Sequence, residues 1–194
     1  MTERMAIIPV LVCGLLLAGV NARAQQPQDP KQTEDNRRIG LTLGYPASGS
    51  SSGVVGLIWE KSDRLAFRPE FSLSARFAGE SVSSGATDSW ALGAALTVVC
   101  YVSRSESLST YVGPRFSYSW ASSGGGGTNS RNAAYGAGVN GGVQYRLTKK
   151  ISVYGEVGLG YLFTRSAYTG TPFGQTITSH NINSRSSLGL NLYL

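Results

Sequence analysis

The chain has 194 residues, of which 14% are charged, with 25 glycines, ten tyrosines and a formal charge of +6. Soluble proteins carry about 25% charged residues, and a mean hydropathy near zero excludes a bundle of apolar membrane helices while allowing a β-structure with one apolar and one polar face. The basic residues are scattered along the chain, which excludes a nucleic-acid patch, and with Cys13 in an N-terminal apolar run only Cys100 remains downstream, so no intrachain disulfide or cysteine-based zinc site follows.

Residues 1–24 read as a secretory signal. Arg4 lies in a short basic segment, Ala6 to Val20 is apolar apart from proline and glycine, and Ala22-Arg23-Ala24 supplies a small-residue cleavage site. The run is too short to span as a helix, which needs about 20 residues. Residues 25–36 are polar and proline-containing with no apolar anchor, and read as a disordered lead-in.

From residue 37 onward, apolar and polar residues alternate in eight segments. A period of two marks a strand, because successive side chains point to opposite faces. The first segment, 37–46, puts Ile39, Leu41, Leu43 and Tyr45 on one face; the second, 53–61, opposes Val55, Leu57 and Trp59 to Glu60. The third, 65–77, sets Leu65, Phe67, Phe71, Leu73 and Phe77 against Arg68, Glu70 and Arg76. It is longer than the usual 5–6 residues of a soluble strand and long enough for a tilted membrane strand, which needs about 9–11. The fourth, 89–102, directs Trp90, Leu92, Leu96, Val98 and Cys100 one way, over a face of Ala, Gly and Thr. In the fifth, 108–120, Val112, Phe116, Tyr118 and Trp120 oppose Tyr111 and Arg115; in the sixth, 133–147, Tyr135, Val139, Val143 and Tyr145 oppose Asn140, Gln144 and Arg146. The seventh, 151–164, opposes Val153, Val157, Leu159, Tyr161 and Phe163 to Tyr154 and Glu156, and the eighth, 183–194, alternates Leu188, Leu190, Leu192 and Leu194 with Gly189, Asn191 and Tyr193.

Connectors after the even segments are short, whereas 47–52, 78–88, 121–132 and 165–182 are longer and rich in Ser, Gly and Thr. Membrane barrels alternate short turns with long external loops in this way. Tyr45, Phe77, Trp90, Trp120, Tyr135 and Phe163 fall at the long-loop ends of the apolar register, and Trp59, Phe67 and Tyr145 at the short-turn ends. These positions predict two interfacial aromatic girdles. Pro69-Glu70-Phe71-Ser72-Leu73-Ser74 and Pro114-Arg115-Phe116-Ser117-Tyr118-Ser119 are near copies. A proline removes a ladder donor, so each predicts a bulge or a local loosening.

These segments, the alternation over 37–194 and the ending SLGLNLYL resemble the bacterial outer-membrane β-barrel family that includes the OmpA transmembrane domain, OmpX and the opacity-type proteins. The resemblance implies an all-β, eight-stranded antiparallel up-and-down transmembrane β-barrel in the bacterial outer membrane. It also implies a C-terminal assembly signal at Gly189, Leu190, Leu192 and Leu194, with Leu194 standing where the family usually has an aromatic residue. The partners implied are outer-membrane lipids and lipopolysaccharide, the barrel assembly machinery and a surface ligand.

On this reading Glu60, Arg68, Glu70, Arg76, Arg115, Gln144, Arg146, Glu156 and Arg185 face the interior. Eight strands enclose a space just wide enough for side chains to fill, and charges there must be paired, so a structural Arg/Glu network that plugs the lumen is expected. Catalytic motifs are absent. His180 is the sole histidine, read as an exposed loop residue, and a lipid-cleaving His-x-Ser pair fails because residue 182 is Ile; Gly124–Gly127 with Thr128 lacks the lysine and the following helix of a phosphate loop. The sequence therefore predicts no enzyme, no cofactor and no metal. It predicts a structural or adhesive role carried by loops 78–88, 121–132 and 165–182. A narrow channel and a secreted barrel holding an apolar ligand are the alternatives.

Overall fold

Alternating side chains give each segment one apolar and one polar or small face, and the strands that result need partners on both edges. The computed structural model describes residues 38–46, 53–76, 88–125, 128–170 and 174–194; the expectations for 1–24, 25–36, Phe77, loop 47–52 and all but the last residue of loop 78–88 lie outside the described residues. The strands are β1 (Arg38–Pro46), β2 (Val54–Ser62), β3 (Leu65–Arg76), β4 (Asp88–Arg104), β5 (Leu108–Gly125), β6 (Thr128–Arg146), β7 (Ile151–Thr169) and β8 (Gln175–Tyr193). Each pairs antiparallel with its sequence neighbour, and β1 closes on β8 from Gly40↔Tyr193 to Pro46↔Ser187. Closure joins the backbone donors and acceptors strand to strand, which is what hydrocarbon demands of a β-structure.

The apolar register faces out: Phe71, Leu73, Val157 and Leu159 are each more than 60% exposed. Inside are Glu60, Arg68, Glu70 and Glu156, all buried, with a small apolar cluster of Ile58, Ala66 and Val99. A water-soluble protein does not present so continuous an apolar surface. The chain is an eight-stranded up-and-down transmembrane β-barrel, and the alternative of a soluble barrel with an apolar interior is overturned by the same inversion.

Strand lengths are unequal. β1 and β2 have 9 residues each, whereas β6, β7 and β8 have 19. Connectors 121–132 and 165–182, expected as loops, are largely strand: the β5–β6 ladder runs on from Ala121↔Asn132 to Gly125↔Thr128, and the β7–β8 ladder from Arg165↔Thr178 to Tyr168↔Gln175. The Ser, Gly and Thr content that suggested loops reports solvation on both faces. The ladder there needs no apolar alternation, because neither face meets hydrocarbon.

The prolines loosen the sheet without bulging it. The β2–β3 ladder skips the residues between Gly56↔Glu70 and Trp59↔Phe67, beside Pro69, and the β4–β5 ladder skips those between Thr97↔Arg115 and Cys100↔Val112, beside Pro114. On their other sides both prolines stay in register, opposite Leu96 and Val139. Register shifts occur instead between Glu60 and Ser62 and between Tyr101 and Ser103, at the short-turn end.

Candidate functional site

The inward faces build two polar layers. Near the short turns, Glu60 Oε1 accepts from Arg104 Nη2 at 2.8 Å and from Tyr193 Oη at 2.9 Å, and lies 3.2 Å from Tyr101 Oη. Gln144 stands beside it, donating from Nε2 to Tyr193 Oη at 2.8 Å and to Ser152 Oγ at 2.9 Å. Asn191 Nδ2 donates to the same Ser152 oxygen at 3.3 Å. The guanidinium of Arg104 lies 3.8 Å from the centre of the Tyr101 ring, a cation–π approach that adds to its ion pair.

The second layer lies farther from the short turns and is centred on Arg68, which is 1% exposed. Its Nη2 donates to Glu156 Oε2, and its Nε lies 2.8 Å from Glu70 Oε1, close enough for an ion pair but without hydrogen-bond alignment. Glu156 also accepts from Tyr111 Oη at 3.1 Å, Ser187 Oγ at 3.0 Å and Asn140 Nδ2 at 3.3 Å, and meets Arg185 Nη2 at 3.4 Å. Arg115 Nη1 donates to Glu70 Oε2 and to Thr97 Oγ1. Removing one ion from so buried a set would strand its partners, so pairing on this scale holds the geometry as a unit.

Glycines make room for the rings in this lumen. A Cβ at Gly142 would stand 2.6 Å from Cζ of Tyr111, and one at Gly189 would overlap the Tyr154 ring. The Tyr154 ring in turn lies under the Arg68 guanidinium, 4.6 Å from centroid to Cζ.

Six of the eight charged residues expected in the lumen network lie in these layers: Glu60, Arg68, Glu70, Arg115, Glu156 and Arg185. Arg76 does not; it is exposed at the long-hairpin end of β3, where β2 no longer runs alongside. Arg146 is half-buried beside a short turn and, like Arg76, enters no ion pair among the described residues. Arg104 takes a place that parity denied it. Strict alternation from Cys100 points residue 104 outward, but the shift between Tyr101 and Ser103 pairs Arg104 with inward-facing Ser109. Tyr101, Tyr111, Tyr154 and Tyr193 join the network without having been expected in it. Their signal was present, since each lies on the polar register of its strand.

On the outer surface Trp90 and Trp120 meet edge to face at 4.8 Å, and Tyr135 stands 5.0 Å from Tyr118 and 6.4 Å from Phe163. Tyr45 on β1 is exposed at the same end, while Trp59 and Phe67 pair at 5.9 Å near the short turns. His180, expected in a loop, is part of β8. It pairs opposite Phe163, its ring 5.1 Å away, and Nδ1 hydrogen-bonds the hydroxyl of Tyr161. Gly189, Leu190 and Leu192 lie in β8 along its seam with β1, Leu190 beside Leu43 and Leu192 beside Leu41. Leu194 is 96% exposed, its backbone N–H donating to Ile39 O.

No family model matches the chain, and no curated protein matches it by sequence. Among solved structures, it is similar to a major outer membrane protein of Thermus thermophilus, with 12% identity over 82% of this chain and 100% of that one and a TM-score of 0.51. Neisserial surface protein A matches with 19% identity over 80% of this chain and 92% of its own, at a TM-score of 0.48. OprH of P. aeruginosa matches with 16% identity over 81% and 99%, at 0.47. At such identities a likeness speaks for architecture alone, and the Thermus protein shares this chain's barrel fold.

Proposed function

We propose that this chain is a bacterial outer-membrane protein, exported by its N-terminal segment and without enzymatic activity, whose role is structural or adhesive. Recognition is carried by the long hairpins β5–β6 and β7–β8. The observation that supports this is the division of the barrel into a sealed and an open part. From the short turns up to Arg68, Glu70 and Glu156 the inward side chains are buried and bonded to one another, while past the Trp120 and Phe163 belt the hairpins continue half-buried along β5 and exposed along β8 from Gln175. A rigid scaffold with projecting segments is the usual design of a recognition protein. Lipids and lipopolysaccharide would meet the outer belts, and the assembly machinery would meet β8, whose apolar Leu190 and Leu192 end the chain's last strand.

The test has two arms. Full-length protein in planar bilayers is expected to give no steady conductance, and sustained open events would replace this reading with a narrow channel. Cells displaying the full chain are expected to adhere to a substratum or to host cells better than cells displaying a variant in which residues 122–131 are replaced by a short turn. Equal adhesion would remove the hairpin from the proposal.

A further inference from the structure

Beyond the Arg68 layer the interior loses its bulk. Inward positions there include Ser72, Gly93, Ser117, Gly136, Gly160 and Asn183, mostly small side chains. They leave two cavities of about 100 and 130 Å³, both lined by Arg115 and Ser117; the first is lined also by Arg185 and Asn183, with Leu162 its one bulky apolar inward residue, the second by Glu70. Eight-stranded barrels normally fill their interior with side chains, so a vestibule of mixed lining that brings Arg115, Arg185, Ser117 and Asn183 to one open space leaves room for water or a ligand.

The charges at its floor do not balance. Arg68, Arg115 and Arg185 face two carboxylates, Glu70 and Glu156. Arg68 engages both, and Glu156 is further occupied by Tyr111, Asn140 and Ser187. Arg115 spends only Nη1 on Glu70 and Thr97, and its Nε is buried with no hydrogen-bond partner. Arg185 has one ion-pair contact, at 3.4 Å, a side chain 31% exposed, and the like charge of Arg115 within electrostatic range. A guanidinium carries five N–H donors in a planar fork suited to two-point binding of an oxyanion.

We infer that the vestibule binds a small oxyanion, a phosphate, sulfate or carboxylate group, on the unused donors of Arg115 and Arg185, with Ser117 and Asn183 in the wall beside it. The ligand supplies the negative charge that the floor lacks and relieves the repulsion between the two guanidiniums. Access is from the long-hairpin end, since the short-turn half is filled. The inference stands apart from the adhesive role and from the question of conductance.

Inorganic phosphate is the first probe, titrated against the full chain refolded in non-ionic detergent at constant ionic strength, with chloride as the control salt. Binding is read both calorimetrically and as a saturable rise in the urea midpoint, because a ligand specific for the folded state stabilises it by mass action. Arg185→Gln is expected to weaken the affinity by roughly tenfold or more, the loss of one charge-assisted contact, whereas Arg165→Gln on the outer face is expected to leave it unchanged. Vesicles doped with an anionic phospholipid form the second arm. Displacement of phosphate by them assigns the oxyanion to a lipid headgroup, and absence of displacement assigns it to a free solute, the site being the same. The inference is overturned if phosphate gives no saturable effect beyond that of chloride, or if R185Q binds as well as the wild type.

Discussion

Arg68 on β3 and Glu156 on β7 meet inside the barrel, Nη2 to Oε2, 88 positions apart in sequence and neither exposed to solvent. The pair ties non-adjacent staves of the wall together, and its effect on stability is measurable. Arg68→Ala leaves Glu156 and Glu70 buried without their shared cation, a change expected to cost about 3–5 kcal/mol. The urea midpoint of protein in lipid vesicles, followed by heat-modifiable migration on a gel, reads the loss. Arg68→Met with Glu156→Leu removes both charges and is expected to recover most of it. A double variant no more stable than Arg68→Ala would mean that the charge pair is not the source of the cost.

A second expectation concerns space. Gly189 seats the Tyr154 ring, so Gly189→Ala forces that ring to move in a packed lumen, at a cost of about 1–3 kcal/mol for overpacking. Trimming the ring relieves its share of the clash and leaves the Leu43 carbonyl oxygen, 2.5 Å from the added Cβ, so Gly189→Ala in a Tyr154→Leu background should cost less than in the wild type without becoming neutral. Additive losses in unfolding midpoint would show that the two positions do not communicate.

Strand parity alone located Arg68, Glu70, Arg115 and Glu156, because a period of two fixes which face a residue joins as long as the ladder is unbroken. It failed at Arg104, where one extra residue between Tyr101 and Ser103 reverses the register; nothing in Tyr101-Val102-Ser103 marks a bulge. It failed differently at Arg76, which has the correct parity but stands above the point where β2 has ended. Composition misled at 121–132 and 165–182, since Ser-, Gly- and Thr-rich sequence describes a wet hairpin as well as it describes a loop. His180 moved from loop to aromatic belt for that reason, with no local signal beyond its spacing from the leucines of β8. The vestibule was the least legible feature, as it depends on which small residues face one another across the barrel.

Depth in the membrane gives a third expectation. Leu159 lies on the outer face, 67% exposed and well below Phe163 of the belt, while Thr178 lies on the same face of β8 beyond His180. Leu159→Arg is expected to cost about 2–4 kcal/mol, the midplane value for a lipid-facing arginine, and Thr178→Arg about 0–1 kcal/mol. Equal costs in vesicle unfolding would remove Leu159 from the hydrocarbon.

Orientation gives the last. The barrel has two unlike ends: short turns near Ser105, and hairpins reaching past the belt to Ser130 and Thr178. Even strand number puts the start of β1 and the end of β8 at the short-turn end, the end that faces the periplasm in barrels of this build. In a Cys100→Ser background, a cysteine at Ser130 or Thr178 is therefore expected to react with a membrane-impermeant maleimide on intact cells. A cysteine at Ser105 should react only after the outer membrane is permeabilised. Ser130 is paired on both sides, with Ser123 and Tyr168, and lies on the inward register of β6, so its labelling would also report that the lumen is open to solvent at this height. The opposite pattern, with Ser105 labelled on intact cells and Ser130 protected, would invert the barrel in the membrane and turn the vestibule toward the periplasm.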